Sequence, residues 1–385
     1  MENFVYYNPV RILFGEGKIA EIGHYVPKGM KVMMTYGGGS IKKNGVYDQV
    51  MKALTGTDVV EFGGIEPNPH YEPLMKAVET ARREGVGFLL AVGGGSVIDG
   101  TKFIAAAVGY EGEDPWDIVA KGTPVKAAMP LAAVLTLPAT GSEMNCGAVI
   151  TRESTREKLA FHCPLVFPRF SVMDPTVTYS LPKRQLANGV VDTFVHVMEQ
   201  YYTMTEHTEI QDRFSEGILR TLVAIGPRII SADTPDYQDR ANFMWAATMG
   251  LNGLIAVGVV EDWATHQIGH ELTAFHGLDH GVTLAIVLPG VMEATKEHRR
   301  RKLLQFGERV WGIDPTAADA AEQAIARTER FFNSLGVKTR LGDYGVGMET
   351  IERIERRFRD RGRYAVGGID DVNVDNVKAI LVSRL

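Results

Sequence analysis

Along the first half of the chain, short apolar runs alternate with amphipathic ones. Residues 31–36, 58–62, 88–92 and 131–135 read as buried strands, and segments such as 71–83 between them carry helical spacing. Alternation of this kind predicts a doubly wound parallel sheet. Two of the strands run into the same tetrapeptide, Gly37-Gly-Gly-Ser40 and Gly93-Gly-Gly-Ser96. The repeat marks the carboxyl edge of the sheet, where such folds bind nucleotides.

The texture changes after Leu181-Pro182. Strand-like alternation nearly vanishes, and long segments with helical spacing follow at 184–202, 209–229, 237–251, 316–335 and 348–361. The predicted fold is therefore an α/β, Rossmann-like nucleotide-binding domain over residues 1–182 and an all-α domain over 183–385. No heptad repeat, low-complexity tract or long linker interrupts this plan.

Composition narrows the function classes. At 385 residues, 45% apolar and 23% charged, the chain has the make-up of a globular protein large enough for two domains. A net charge of −6 gives no electrostatic footprint for nucleic acid. The basic runs at 298–302 and 356–363 contain or adjoin acidic residues and read as solvated helix faces. No apolar run approaches the roughly 20 residues of a membrane-spanning helix. The N-terminus lacks a signal-peptide pattern, and the two cysteines, Cys146 and Cys163, read as packing residues, so a reducing, cytoplasmic setting is expected.

The candidate chemistry lies in the second half. Asp192 and His196 stand four apart in a helical run, so their side chains leave one face a turn apart. His266, His270, His276 and His280 then fall within fifteen residues. A carboxylate with imidazoles suits zinc or ferrous iron, whereas calcium or magnesium calls for more oxygens. Spacing alone does not say which of the four histidines complete the set. Trp263, Leu272, Phe275 and Leu278 flank the region and favour a small, fairly apolar substrate.

The glycine loops supply the other half of the argument. Gly93–Ser96 follows an apolar strand and opens a helix, so free N–H groups there can face a pyrophosphate, although a plain tight turn reads the same way and the Gly-x-Gly-x-x-Gly fingerprint is absent. At Gly37–Ser40, small neutral residues, the Ser40 hydroxyl and nearby Lys42 and Lys43 suit a 2′-phosphate better than a free 2′-hydroxyl, which a carboxylate would bind. NADP is thus expected over NAD. The loop from Thr136 to Asn145 concentrates hydroxyl and amide groups fit for a nicotinamide or phosphate. Lys158 reads either as a ribose or phosphate contact or as a surface lysine at a strand edge.

In order along the chain stand Phe-Gly-Glu-Gly at 14–17, Tyr36-Gly-Gly-Gly-Ser40, Gly64-Ile-Glu-Pro-Asn-Pro69, Ala91-Val-Gly-Gly-Gly-Ser-Val-Ile-Asp99, Leu137-Pro-Ala-Thr-Gly-Ser-Glu143, Ala187-Asn-Gly-Val-Val-Asp-Thr-Phe-Val-His196, and the segment from Trp263 to Gly281. Through these motifs essentially the whole chain resembles the iron-type, group III, metal-dependent alcohol dehydrogenases, in particular their NADPH-dependent butanol dehydrogenase and broad-range aldehyde reductase branch. The resemblance implies that Asp192, His196, His266 and His280 hold iron or zinc and that His270 lies beside the metal as a catalytic candidate for proton exchange or water ordering. It maps cofactor contacts onto Gly38, Ser40, Asn68, Gly94, Gly95, Ser96, Asp99, Thr136, Asn145, Lys158 and Ser180. It also implies a homodimer and hydride transfer between NADP(H) and small aldehydes or primary alcohols. A dehydroquinate synthase-like lyase and a non-catalytic nucleotide-binding protein are the alternative readings.

Overall fold

The computed structural model describes residues 1–362 and 364–385; Arg363, in the second basic run, lies outside the described residues. The chain divides into two compact units, Tyr7–Leu181 and Pro182–Leu385, the latter joined by Met1–Tyr6. Those first six residues were expected with the α/β domain. They go with the helical unit because the Met1 ammonium donates to the Glu206 carbonyl at 2.7 Å and the Glu2 N–H to the Gly258 carbonyl at 2.9 Å.

The first unit carries β1 (Arg11–Phe14), β2 (Val32–Tyr36), β3 (Val59–Phe62), β4 (Phe88–Gly94), β5 (Leu131–Leu137), β6 (Gly147–Arg152), β7 (Glu157–His162) and β8 (Phe170–Met173), with helices α1 (Ser40–Lys43), α2 (Val46–Ala53), α3 (Tyr71–Glu84), α4 (Gly95–Val108) and α5 (Trp116–Ala120). Six strands form one sheet in the order β1-β8-β5-β4-β2-β3, every pair parallel, while β6 and β7 make a separate antiparallel pair. Val32, Met34, Leu90, Val92, Ala132 and Val134 share one face with Ile19, Ile22 and Val50, and α4 packs on β4 and β5. Both faces are covered, which is why these strands read as continuous apolar runs. The chain leaves β2 for β3 on one side and β4 for β5 on the other. The strand order therefore reverses between β2 and β4, the neighbouring strands that end in the two glycine loops.

The second unit contains α6 (Lys183–Tyr201), α7 (Glu209–Ser231), α8 (Tyr237–Gly250), α9 (Ala264–His276), α10 (His280–Ala294), α11 (Arg300–Trp311), α12 (Ala320–Ser334), α13 (Met348–Asp360) and α14 (Val377–Val382). Helix α10 packs against α6, α9 and α12 at its centre. It escapes a periodicity reading because Val282, Leu284, Ile286, Val287, Leu288 and Val291 are buried all round it and Pro289 interrupts it. No described helix is long and apolar enough to cross a membrane.

The basic runs are only partly solvated, contrary to the sequence expectation. Arg299 and Lys302 are interior: Arg299 pairs with Asp262 and Asp371, and Lys302 with Asp212 at 2.7 Å. Arg357 and Arg361 clamp the buried carboxylate of Glu271 at 3.2 and 2.7 Å. Tertiary pairing of this kind has no local signature in sequence.

Candidate metal centre and nucleotide loops

Helix α6 sets the frame of the metal centre. Asp192 and His196 project from one face, as the four-residue spacing requires, and both are buried. Gly277, with φ +65°, ends α9, and α10 begins at His280 and packs back on α9 and α6. Asp279 fixes that start by accepting from Asn188 at 2.8 Å and from Arg184 of α6. At position 281 a Cβ would stand 2.5 Å from the Asn188 carbonyl oxygen, so only glycine there lets the two helices approach this closely.

The result is convergence on one atom. The Nε2 atoms of His196, His266 and His280 stand 3.6, 3.9 and 3.5 Å from Asp192 Oδ1. Ligands held tetrahedrally at about 2.1 Å stand about 3.4 Å from one another, so these separations fit a single small divalent ion. Among the described residues, Asp192 Oδ1 and His266 Nε2 are buried without a hydrogen-bond partner, the state expected of atoms whose partner is a metal. Burial pushes the Asp192 carboxyl up, but the imidazoles of His196, His280 and His266 override it and hold it below the usual carboxylate range. Burial pushes His266 down, and the carboxylates of Glu199 and Asp192 reverse this, raising it to about 9. The His280 side chain is the most exposed of the four, at 23% against 7% or less for the other three.

The remaining histidines separate clearly. His270 is buried, with its ring 5.4 Å from that of His280 and 6.1 Å from that of His266, beside the ligand set. His276 points elsewhere, its Nε2 2.8 Å from Thr350 Oγ1. Trp263 lies 5.2 Å from the His266 ring and 6.0 Å from the His196 ring, and its left-handed backbone, φ +67°, is a strained choice for a bulky residue. Phe275 does not line the cluster as its proximity in sequence suggested. Nine residues beyond His266 it falls on the far side of α9, under the guanidinium groups of Arg353 and Arg357.

One functional residue escaped the sequence reading. Glu199, buried and one turn beyond His196, contacts His266 Nδ1 through Oε2. Its Oε1 accepts from the backbone N–H groups of Thr265 at 2.5 Å and His266 at 3.2 Å. It thus caps α9, whose N-cap residue Trp263 makes no side-chain cap, and orients a candidate metal ligand with the same carboxylate. The faint signal is its position: 192, 196 and 199 lie on one helical face.

In the α/β unit the loops at the strand-order reversal gather the predicted cofactor residues. Gly94 caps α4 without a side-chain cap bond, leaving the N–H groups of the first turn, from Gly95 and Ser96 onward, turned toward the loop. A Cβ at Gly95 would stand 2.4 Å from Thr140 Oγ1, so the β5 loop closes tightly on it. Ser96 Oγ accepts from the Asn68 N–H at 3.3 Å, and Asn68 Oδ1 accepts from Lys158 Nζ at 2.9 Å, which draws Lys158 inward from the strand edge. Ser180 Oγ accepts from Asn44 at 3.1 Å, just beyond α1. Thr136 is half-buried on β5 beside this loop. Asp99 is differently employed: Oδ1 accepts from Ser142 at 2.6 Å and Oδ2 from the Val149 N–H at 2.9 Å, so both its oxygens anchor the loop.

At the first glycine loop, Gly38 and Ser40 are exposed and a Cβ at 38 would meet nothing within 4 Å, whereas Gly39 needs φ +90°. Lys42, expected near a 2′-phosphate, is engaged by Glu61 at 2.9 Å, and the hydroxyls of Tyr36 and Tyr47 donate to the same carboxylate. Of the two lysines singled out, only Lys43 stays outside that cluster of bonds.

Comparison with known proteins identifies the family. The model of the iron-containing alcohol dehydrogenase family matches residues 9–175, and that of the Fe-containing alcohol dehydrogenase C-terminal region matches residues 186–385. The chain belongs to the iron-containing alcohol dehydrogenase family. It is 54% identical over 378 residues, 97% of both chains, to the NADPH-dependent aldehyde reductase YqhD of Escherichia coli. It is 46% identical, over 96% of both chains, to NADP-dependent alcohol dehydrogenase 3 of Entamoeba histolytica. The crystal structure of Escherichia coli YqhD superposes with a TM-score of 0.97 at 53% identity, covering 100% of this chain and 99% of that one. NADH-dependent butanol dehydrogenase A of Thermotoga maritima superposes with a TM-score of 0.94 at 38% identity, with the same coverage. As a member of this family the chain is an oxidoreductase with an α/β domain and a helical metal-binding domain.

Proposed function

We propose that this protein interconverts small aliphatic aldehydes and primary alcohols with NADP(H), using one ferrous or zinc ion held by Asp192, His196, His266 and His280. The observation that carries the reading is the convergence of three imidazole Nε2 atoms on one buried carboxylate oxygen at 3.5–3.9 Å. When bound, the metal supplies Lewis acidity at the substrate oxygen and the nicotinamide supplies hydride at C4. Asp192 contributes the single negative charge of the ligand set, and Glu199 fixes His266 with Nε2 directed at the metal position. His270, beside but outside the ligand set, is the group assigned to proton exchange with the substrate oxygen. The α4 N-terminus offers backbone donors to the pyrophosphate, and the Lys158–Asn68–Ser96 chain presents a cation and an amide beside it. NADP preference draws support from the two NADP(H)-named relatives and from the neutral Gly37–Ser40 loop. The same reading includes a homodimer, supported by the exposed side chains of Phe4, Val5, Tyr6 and Tyr7, and a cytoplasmic setting, in keeping with two free thiols.

The test is NADPH oxidation with butanal by metal-stripped protein reconstituted with ferrous iron or with zinc, with NADH in parallel. Metal-dependent consumption of NADPH, faster than of NADH, is expected. No turnover with either cofactor despite verified metal loading would overturn the reading and favour a lyase-like or non-catalytic protein.

The loop at Gly38 allows a separate check on the nucleotide. Because a Cβ at 38 would meet nothing within 4 Å, Gly38→Asp brings a carboxylate to the loop with no clash at its Cβ. It is expected to lower the NADP to NAD ratio of kcat/KM by about tenfold or more, the equivalent of about 1.4 kcal/mol of repulsion against a 2′-phosphate. An unchanged ratio in the folded variant would move the 2′-phosphate away from this loop.

A further inference from the structure

Lys102 lies in the middle of α4 among Phe103, Ile104, Ala105 and Ala106, and it is fully buried. Burying an ammonium is costly unless it is fully hydrogen-bonded. Among the described residues it makes no ion pair within 4.0 Å; its three donors go to three neutral oxygens of one segment. These are Ser142 Oγ at 2.9 Å, Asn145 Oδ1 at 2.9 Å and the Gly147 carbonyl at 2.8 Å.

We propose that Lys102 is a positioning residue of the cofactor site, turning the Asn145 carboxamide so that its oxygen faces inward and its NH2 is the side a bound dinucleotide meets. This rests on the reading of Asn145 as a cofactor contact. An ammonium can only donate, so the Asn145 atom facing it must be the oxygen. The Gly147 N–H donates to the same Oδ1 at 3.0 Å. With two donors on the oxygen, the nitrogen is directed away, toward the Thr140 carbonyl 3.5 Å off. The same ammonium fixes a second hydroxyl. Ser142 Oγ, receiving from Lys102, is left to donate to Asp99 Oδ1, one helical turn before Lys102, so the whole 140–147 segment has a fixed hydrogen-bond polarity. Burial pushes the ammonium down to about 8, with the charges of Asp99, Cys146 and Glu143 drawing it back up, so it is still protonated near neutrality.

The experiment is NADPH binding, followed by its fluorescence, to metal-loaded wild type, Lys102→Met, Asn145→Ala, the double variant and Asn145→Asp. Lys102→Met and Asn145→Ala are each expected to weaken NADPH about tenfold or more, and the double variant no further than the worse single, since both remove one unit. Asn145→Asp keeps an oxygen for Lys102 but presents an acceptor outward. It is expected to lose NADPH affinity without losing thermal stability, and it tests the orientation even if Lys102→Met does not fold. Full additivity in the double variant, or wild-type affinity in Asn145→Asp, would overturn the positioning role. Wild-type affinity in Asn145→Ala would instead overturn the assignment of Asn145 as a contact. Absence of NADPH binding by the wild type would overturn the proposed function itself.

Discussion

Asp192→Asn is expected to purify nearly metal-free and to reduce butanal more than about a hundredfold more slowly than the wild type, while its metal-free form still folds, at a lower unfolding temperature than the metal-free wild type. Loss of partners that merely orient ligands costs 10–100-fold in metal affinity or activity as a rule. Asp192 is proposed as a ligand itself, carrying the only negative charge of the set, so its effect is expected beyond that range. The amide is isosteric and keeps the packing of a residue 3% exposed. Asp192 Oδ1 makes no hydrogen bond within the protein, so the exchange breaks none there, and the cost to folding is the lost attraction between the carboxylate and the imidazoles around it. Metal content by mass spectrometry, turnover and thermal unfolding, measured together, decide the matter. Unchanged metal content with an unchanged rate would remove Asp192 from the site.

How much of this centre can be read in advance depends on how local each relation is. Asp192 and His196 are legible because one helical turn joins them, whatever surrounds the helix. His280 is not. On an unbroken helix fourteen residues would carry it about 21 Å along the axis from His266. The break at Gly277 lets α10 turn back, and His280 reaches Asp192 Oδ1 at 3.5 Å. Nothing in the spacing of His270, His276 and His280 announces which of them that turn delivers; family resemblance supplied the assignment.

The same distinction runs through the fold. The central strands are visible because burial on both faces makes them uniformly apolar, whereas β1 and β8, four residues each, are held in the sheet by pairing with each other and with β5. Helix α10 is hidden because a helix buried all round has no amphipathic stripe. Lys102 is hidden for the converse reason: a single lysine in an apolar helix looks like a surface residue until the loop that accepts its three hydrogens is in place. The lean toward a 2′-phosphate pocket built on Lys42 also changes with tertiary context, since Glu61, distant in sequence, takes that charge.

Glu199→Gln carries the second large expected effect, because neither orientation of a carboxamide can do what the carboxylate does. Glu199 accepts on both oxygens: from two backbone N–H groups at the start of α9 on one, and from His266 Nδ1 on the other. If glutamine turns its oxygen to His266, its NH2 confronts the N–H groups of Thr265 and His266, donor against donor, and the α9 start loses about 1–2 kcal/mol of capping. If it turns its oxygen to the backbone, its NH2 requires Nδ1 of His266 to accept, which places the imidazole proton on Nε2, the atom proposed to ligate the metal. Either way metal affinity is expected to fall about 10–100-fold, with turnover falling in step at limiting metal and recovering at high metal concentration. A competition titration against a chelator measures the first quantity, and a rate titration with added zinc or ferrous iron the second. Recovery by metal separates a ligand-orienting role from general damage to the helix, which added metal would not repair. Wild-type metal affinity in the folded variant would mean that Glu199 serves α9 alone.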